Sequence, residues 1–213
     1  MAERARKMGF GEDKISFTLV EPMKTVLPGM DRFLIRQTDN RLKELGIAVI
    51  HGYFISEVKE NGIVLSNGEE LPSDLFIFTA GIAIEEPSKD AHISLNPRGQ
   101  ILVDGYMRLE GHENVFVVGD ASEQKNSNGE ILPPTSQAAK LGARRVAENI
   151  LASIHGEPLQ VNDARMRGIV VALGGHHAAA VLFGSIKLPS PFAYWLKKLI
   201  FFLHSLSLKR LLP

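Results

Sequence analysis

The sequence has no cysteine in its 213 residues. Disulfides, thiolate metal centres and cysteine redox chemistry within this chain are therefore excluded, although the absence says little about compartment. Acidic residues run out early. After Asp163 there is no Asp or Glu, while Arg165, Arg167, Lys187, Lys197, Lys198, Lys209 and Arg210 follow. The whole chain balances at 24 basic and 24 acidic residues, so an acidic body carries a basic tail. Such a tail suits a polyanionic surface. No uncharged apolar run reaches the roughly 18 residues that span a bilayer, and the start, Met-Ala-Glu-Arg-Ala-Arg-Lys, has no signal-peptide pattern. A glycine-rich dinucleotide loop is also missing: Gly9 and Gly11 follow a helix-like segment rather than a strand, and the position for a third glycine is Lys14. There is no P-loop, no Ser-His-Asp pattern and no basic, aromatic-studded strand, so nucleic acid is not an expected partner. His176 and His177 are adjacent, point to opposite faces of a strand and lack a third ligand at metal spacing, so no metal is expected.

An apolar share of 45% and a charged share of 23% are ordinary for a folded globular chain of one large domain or one and a half smaller ones. The organising stretch is Asn114-Val115-Phe116-Val117-Val118-Gly119-Asp120-Ala121-Ser122. Its β-prone residues predict a short buried strand ending at Gly119, where the backbone can pass close to something a Cβ would strike. Asp120 would then stand at the carboxyl edge of a strand, where open α/β sheets bind ligands; the competing reading makes it the cap of the helix that follows. That helix is expected over 133–155, with Pro133 and Pro134 at its start and Thr135-Ser136-Gln137-Ala138 in its first turn. An acid and a helix N-terminus facing one site would cradle a phosphate-bearing cofactor.

Other segments follow in chain order. A short helix over 1–8 precedes a strand, Ile15–Glu21, whose terminal Glu21 either grips a ribose hydroxyl or lies in solvent. Asp31 caps a helix from Arg32 to Leu45, stopped by Gly46, and Ile47–Ile50 is a buried strand. Asn61-Gly62 and Asn67-Gly68 predict a three-stranded meander. Asp74–Phe78 reads as a buried strand returning to Thr79-Ala80-Gly81, small residues that either let a ligand lie against the backbone or merely make a tight turn. The polar connector 85–99 sets the boundaries at 1–84, 85–156 and 157–213. Two short strands, Gln100–Val103 and Tyr106–Leu109, turn at Asp104-Gly105, and Ile169–Leu173 and Ala178–Phe183 form a strand pair. In the tail, Phe192, Trp195, Leu196, Leu199, Leu203 and Leu206 recur at helical spacing beside Lys197 and Lys198, which favours a membrane-interface helix over one docked on a partner or on its own body.

The stretches FTLVEPMKTVLPGMD, LPSDLFIFTAGI, MRLEGHENVFVVGDAS and LPPTSQAAKLGARRVAENI together resemble the second half of a two-dinucleotide-domain flavoprotein reductase, and within that superfamily the type II NADH:quinone oxidoreductases. The resemblance implies an α/β, Rossmann-like ββα fold that binds FAD and NAD(H), completed by the strand pair and amphipathic helix. It implies that Glu21 holds the adenosine ribose of NADH, that Thr79, Ala80 and Gly81 line the nicotinamide pocket, and that Gly119 and Asp120 meet the ribityl or pyrophosphate part of FAD. Thr135, Ser136, Gln137 and Ala138 would face the flavin ring, with Gln137 near a quinone. Residues Pro189–Pro213 would rest on the cytoplasmic side of the cell membrane as a peripheral anchor. Because both glycine-rich loops are missing from the sequence, the chain is expected to need an N-terminal half or partner polypeptide and to be inactive alone, with a homodimer as a further expected assembly. The alternatives are a non-catalytic membrane-binding or dimerising remnant and a related reductase with a protein electron acceptor.

Overall fold

The computed structural model describes residues 2–10, 14–79, 81 and 93–209. In chain order the elements are α1 (Ala2–Lys7), β1 (Phe17–Glu21), α2 (Arg32–Glu44), β2 (Ile47–His51), β3 (Ile55–Lys59), β4 (Gly62–Leu65), β5 (Glu70–Pro72), β6 (Ile101–Leu102), a single 3-10 turn (Gly119–Ala121), β7 (Ser122–Glu123), α3 (Ser136–His155), β8 (Gly168–Ala172), β9 (Ala178–Leu182), β10 (Ile186–Leu188) and α4 (Phe192–Lys209). They form two compact units, one from residues 1–78 and 167–213 and the other from 79–166.

In the first unit β1 and β2 pair in parallel, Phe17 opposite Ile47 and Glu21 opposite His51, with α2 as the crossover between them. The Asp31 carboxylate caps α2, accepting the Phe33 N–H at 2.6 Å, and the Leu45 N–H closes its other end on the Arg41 carbonyl. The Asn-Gly pairs produce the expected meander β3-β4-β5. At the end of the chain the expected strand pair gains a third member, β10, beside β9, giving the order β10-β9-β8. This sheet is covered on both faces. Ala179 and Val181 meet Leu34 of α2, whereas Ala178 and Ala180 meet Ala193 of α4. Alternation along β9 explains the sequence Ala178-Ala179-Ala180-Val181: with a helix on either side, every position is interior, and small side chains let both helices approach. The Ser190 hydroxyl extends the pairing of β9, accepting from the Ala178 N–H at 2.8 Å and donating to its carbonyl at 3.0 Å.

The expected strand Asp74–Phe78 does not form. The segment is irregular, and Leu75, Ile77 and Phe78 are exposed, Phe78 by 74%. Its residues favour strand, but a strand needs a neighbour to complete the hydrogen-bond ladder, and no described strand lies beside it.

In the second unit β6 and β7 pair in parallel and α3 packs on the rest. Val103, Met107 and Val146 form one core cluster, while Leu132, Ala138 and Ala164 form another. Three loops have the same construction. Asn96, Asp104 and Asn126 each accept, through one side-chain oxygen, the N–H groups two and four residues on. Each also closes a backbone pair, Asn96 with Gln100, Asp104 with Arg108 and Asn126 with Glu130. The fourth residue of each loop has positive φ: Gly99 at 76°, Met107 at 70° and Gly129 at 79°. The expected strand Tyr106–Leu109 thus contributes its first residues to a loop, and its pairing is by single bridges, Leu109 with Val103 and Arg108 with Phe116. The expected strand Val115–Val118 is likewise short: Phe116 bridges Arg108, with the Leu109 N–H on the Val115 carbonyl at 2.8 Å and the Val117 N–H on the Met107 carbonyl at 3.0 Å, and the ladder stops where Met107 turns into the loop. Helix α3 begins at Ser136, three residues after the expected start, because Thr135 is its cap.

Candidate functional site

Gly119 has φ of +83°, and a Cβ built there meets nothing within 4 Å among the described residues. Within this chain its glycine is required by backbone conformation and not by close approach of another protein segment. Glycine here bends the chain into the 3-10 turn that carries Asp120. The turn packs on α3. The Asp120 side chain is exposed and makes no hydrogen bond or ion pair with the described residues. It does not cap α3; Thr135 does, its Oγ1 accepting the Ala138 N–H at 3.3 Å. The first helical N–H groups, those of Ser136 and Gln137, are left over by helix geometry itself. Ala138 is buried against Leu132 and Ala164, and the half-buried Gln137 lies one turn ahead of Leu141. Within this unit an unpaired carboxylate and a helix start therefore belong to elements in direct contact.

Two buried glutamines hold the turn. Gln124 Nε2 donates to the Gly119 carbonyl at 3.2 Å, and Gln100 Nε2 donates to the carbonyls of Asp120 and Ser122 at 3.1 and 3.2 Å. The Ser122 hydroxyl adds a bond to the Gly119 carbonyl at 3.0 Å. Gln124 Oε1 is buried beside Gly142 of α3 with no partner among the described residues. Asn96 Nδ2 bridges Gln100 Oε1 at 3.1 Å and Glu123 Oε2 at 2.8 Å. That bond from Asn96, followed by the ion pair with Lys125, holds the Glu123 carboxyl below the usual range for glutamate. Sequence reasoning did not find Gln100, Gln124 or Asn96, because isolated polar residues beside short apolar stretches leave no periodic signal.

The other candidates are divided between the units, Glu21 and helix α4 in the first and Thr79 and Gly81 in the second. Glu21 ends β1, and its Oε1 accepts the Met23 N–H at 3.0 Å, closing the turn after the strand. Thr79 and Gly81, at the start of the second unit, are exposed and irregular, and Ala80 lies outside the described residues. Helix α4 is seated through Ala193 and Tyr194, and it exposes Phe192, Trp195, Leu199, Phe202, Leu203 and Leu206. Lys198 stands over the rings of Tyr194 and Trp195, at 5.5 and 6.0 Å. No described helix is long and apolar enough to cross a membrane. Among the described residues no group of three or more His, Cys, Asp or Glu is placed to hold a metal ion.

Residues 1–149 match the family model of the pyridine nucleotide-disulphide oxidoreductases. This chain belongs to that family. Over 185 residues it is 28% identical to the type II NADH:quinone oxidoreductase of Haemophilus influenzae, covering 85% of this chain and 42% of that protein. Over 205 residues it is 28% identical to the demethylphylloquinone reductase NdbB of Synechocystis sp., covering 93% and 50%. It therefore spans about half the length of these curated relatives. The solved NDH2 of Plasmodium falciparum in complex with NADH shares the fold with a TM-score of 0.76 at 15% identity, covering 94% of this chain and 57% of that one. The mixed α/β, Rossmann-like fold expected from the sequence is thus the one observed, and it matches part of the longer solved chain.

Proposed function

We propose that the chain works as part of an FAD-dependent NADH:quinone oxidoreductase at a membrane surface. What carries this reading is the contact between the Gly119–Ala121 turn and α3, which puts the unpaired Asp120 and the helix start in one unit. Open space at the Gly119 Cβ position, an exposed carboxylate and leftover helical N–H groups fit a ligand bearing hydroxyl and phosphate groups. FAD, when bound, supplies the two-electron chemistry.

In this reading Asp120 and Gly119 hold the ribityl or pyrophosphate part of FAD. The α3 start, Thr135 to Ala138, directs its positive end toward the flavin ring, and Gln137 orients the quinone. Glu21 binds the adenosine ribose of NADH; a carboxylate there disfavours a 2′-phosphate. Thr79, Ala80 and Gly81 receive the nicotinamide. Helix α4 lies on the cytoplasmic face of the cell membrane, its apolar face in the acyl boundary and its lysines among headgroups, where a hydrophobic quinone is collected. A further region, or a partner polypeptide, supplies the glycine-rich loops, and the chain is inactive without it.

The test uses the intact protein isolated as its own cells make it. Bound flavin, seen by its visible absorption, and NADH-dependent reduction of a quinone are the expected results. A preparation without flavin overturns the reading. Flavin with activity toward a protein acceptor and none toward quinone replaces only its last step.

A further inference from the structure

We propose that Gln100 and Gln124 are positioning residues that aim the Asp120 carboxylate before any ligand arrives. This rests on the reading of Asp120 as an FAD contact and adds residues to which neither the sequence motifs nor the family resemblance assigns a role. Two peptide groups flank the Asp120 Cα. The one before it is fixed through the Gly119 carbonyl, which accepts from Gln124 Nε2 and Ser122 Oγ. The one after it is fixed through the Asp120 carbonyl, which accepts from Gln100 Nε2. Pinning both planes fixes φ and ψ of Asp120 and hence the direction of its Cα–Cβ bond.

Each amide is itself oriented. Gln100 Oε1 accepts from Asn96 Nδ2, so its Nε2 must face the two carbonyls. Asn96 is anchored in turn by Glu123 and by accepting the Arg98 and Gln100 N–H groups. Gln124 is seated where α3 has Gly142, which leaves room for its amide. Both glutamines are buried, at 7% and 4% exposure, so water does not compete for these bonds. The bonds lie on the protein side of the turn, and the Asp120 side chain is left exposed.

The experiment is a double-mutant cycle in the intact protein, with FAD affinity of the folded apoprotein as the readout. Gln100→Met and Gln124→Met keep side-chain length and remove the donor. Each should weaken FAD about tenfold, the weight of one to two hydrogen bonds. In an Asp120→Ala background the same substitutions should change affinity less than about twofold, because they act through that carboxylate. Melting temperatures of the apoproteins are measured in parallel. Lower melting temperatures with unchanged FAD affinity, or equal losses in both backgrounds, would overturn the proposal and leave the glutamines as fold supports. If the unsubstituted protein takes up no FAD, the functional reading falls first and this inference with it. Should Gln100→Met fail to fold, Gln124→Met, which removes a single bond, decides the matter.

Discussion

Ala179 and Ala180, neighbours in β9, belong to different cores: Ala179 packs with Leu34 of α2, and Ala180 with Ala193 of α4. One strand therefore joins two helices back to back. Both alanines are fully buried, so neither position has room for a larger side chain. Ala180→Leu should destabilise the protein by about 1–3 kcal/mol through overpacking and should loosen the seat of α4. Chemical denaturation followed by the fluorescence of the single tryptophan, Trp195, reads both effects. An unchanged midpoint would show that α4 is not held through this contact.

A glycine-to-alanine change inside a helix ordinarily stabilises it by about 1 kcal/mol. Gly142→Ala should do the opposite. The added Cβ would strike Gln124 Oε1, lie 3.1 Å from Gln124 Cδ and approach Met107 Cε to 3.3 Å. Gln124 cannot swing away without giving up its bond to the Gly119 carbonyl. A net loss of about 1–3 kcal/mol is expected in urea unfolding, and a gain would mean that the amide relocates freely.

Glu123 gives the pH dependence its sign. Hydrogen bonding from Asn96, and then Lys125, makes this carboxyl more acidic folded than unfolded. Its contribution is therefore complete above the ordinary glutamate value of 4.5 and is lost as the pH falls below that, through the lower folded value. Unfolding midpoints measured downward from pH 6 should fall more steeply in the parent than in Asn96→Ala, which lacks the donor. Parallel profiles would remove Asn96 as the cause.

The exposed apolar face of α4 makes a prediction about lipid. Trp195 is 64% exposed, with Lys198 over its ring. Vesicles containing anionic lipid should shift its emission to the blue, and added salt should weaken the binding because exposed charges are screened beyond about 8–10 Å. Replacing Lys197 and Lys198 together by Glu should weaken it further. No shift on any vesicle would remove the membrane from the functional reading.

Elements with local punctuation were legible in the sequence. Asp31 and Gly46 marked the ends of α2, the Asn-Gly pairs marked the meander, and the apolar run Ala178–Leu182 marked β9. Segments whose structure depends on distant neighbours were not. Asp74–Phe78 has strand composition but no ladder partner among the described residues, and Val115–Val118 pairs with 107–109 over a length that the Asp104 loop cuts short. Strand β10 is three residues long and too short to show alternation. In the site, the Gly-Asp motif and the helix start could be read directly, whereas the glutamines beneath them could not. Their function lies in which carbonyls they reach across the fold, and spacing along the chain does not encode that.

The three Asx-cornered loops differ in the residue that carries the positive φ. Gly99 and Gly129 occupy the left-handed region without the penalty a Cβ would bring. Met107 occupies the same conformation at a cost, which the burial of its side chain against Val103 and Val146 offsets. The Asp104–Arg108 corner therefore leans on α3, through Val146, for part of its stability, a dependence that Gly99 and Gly129 do not impose on the other two.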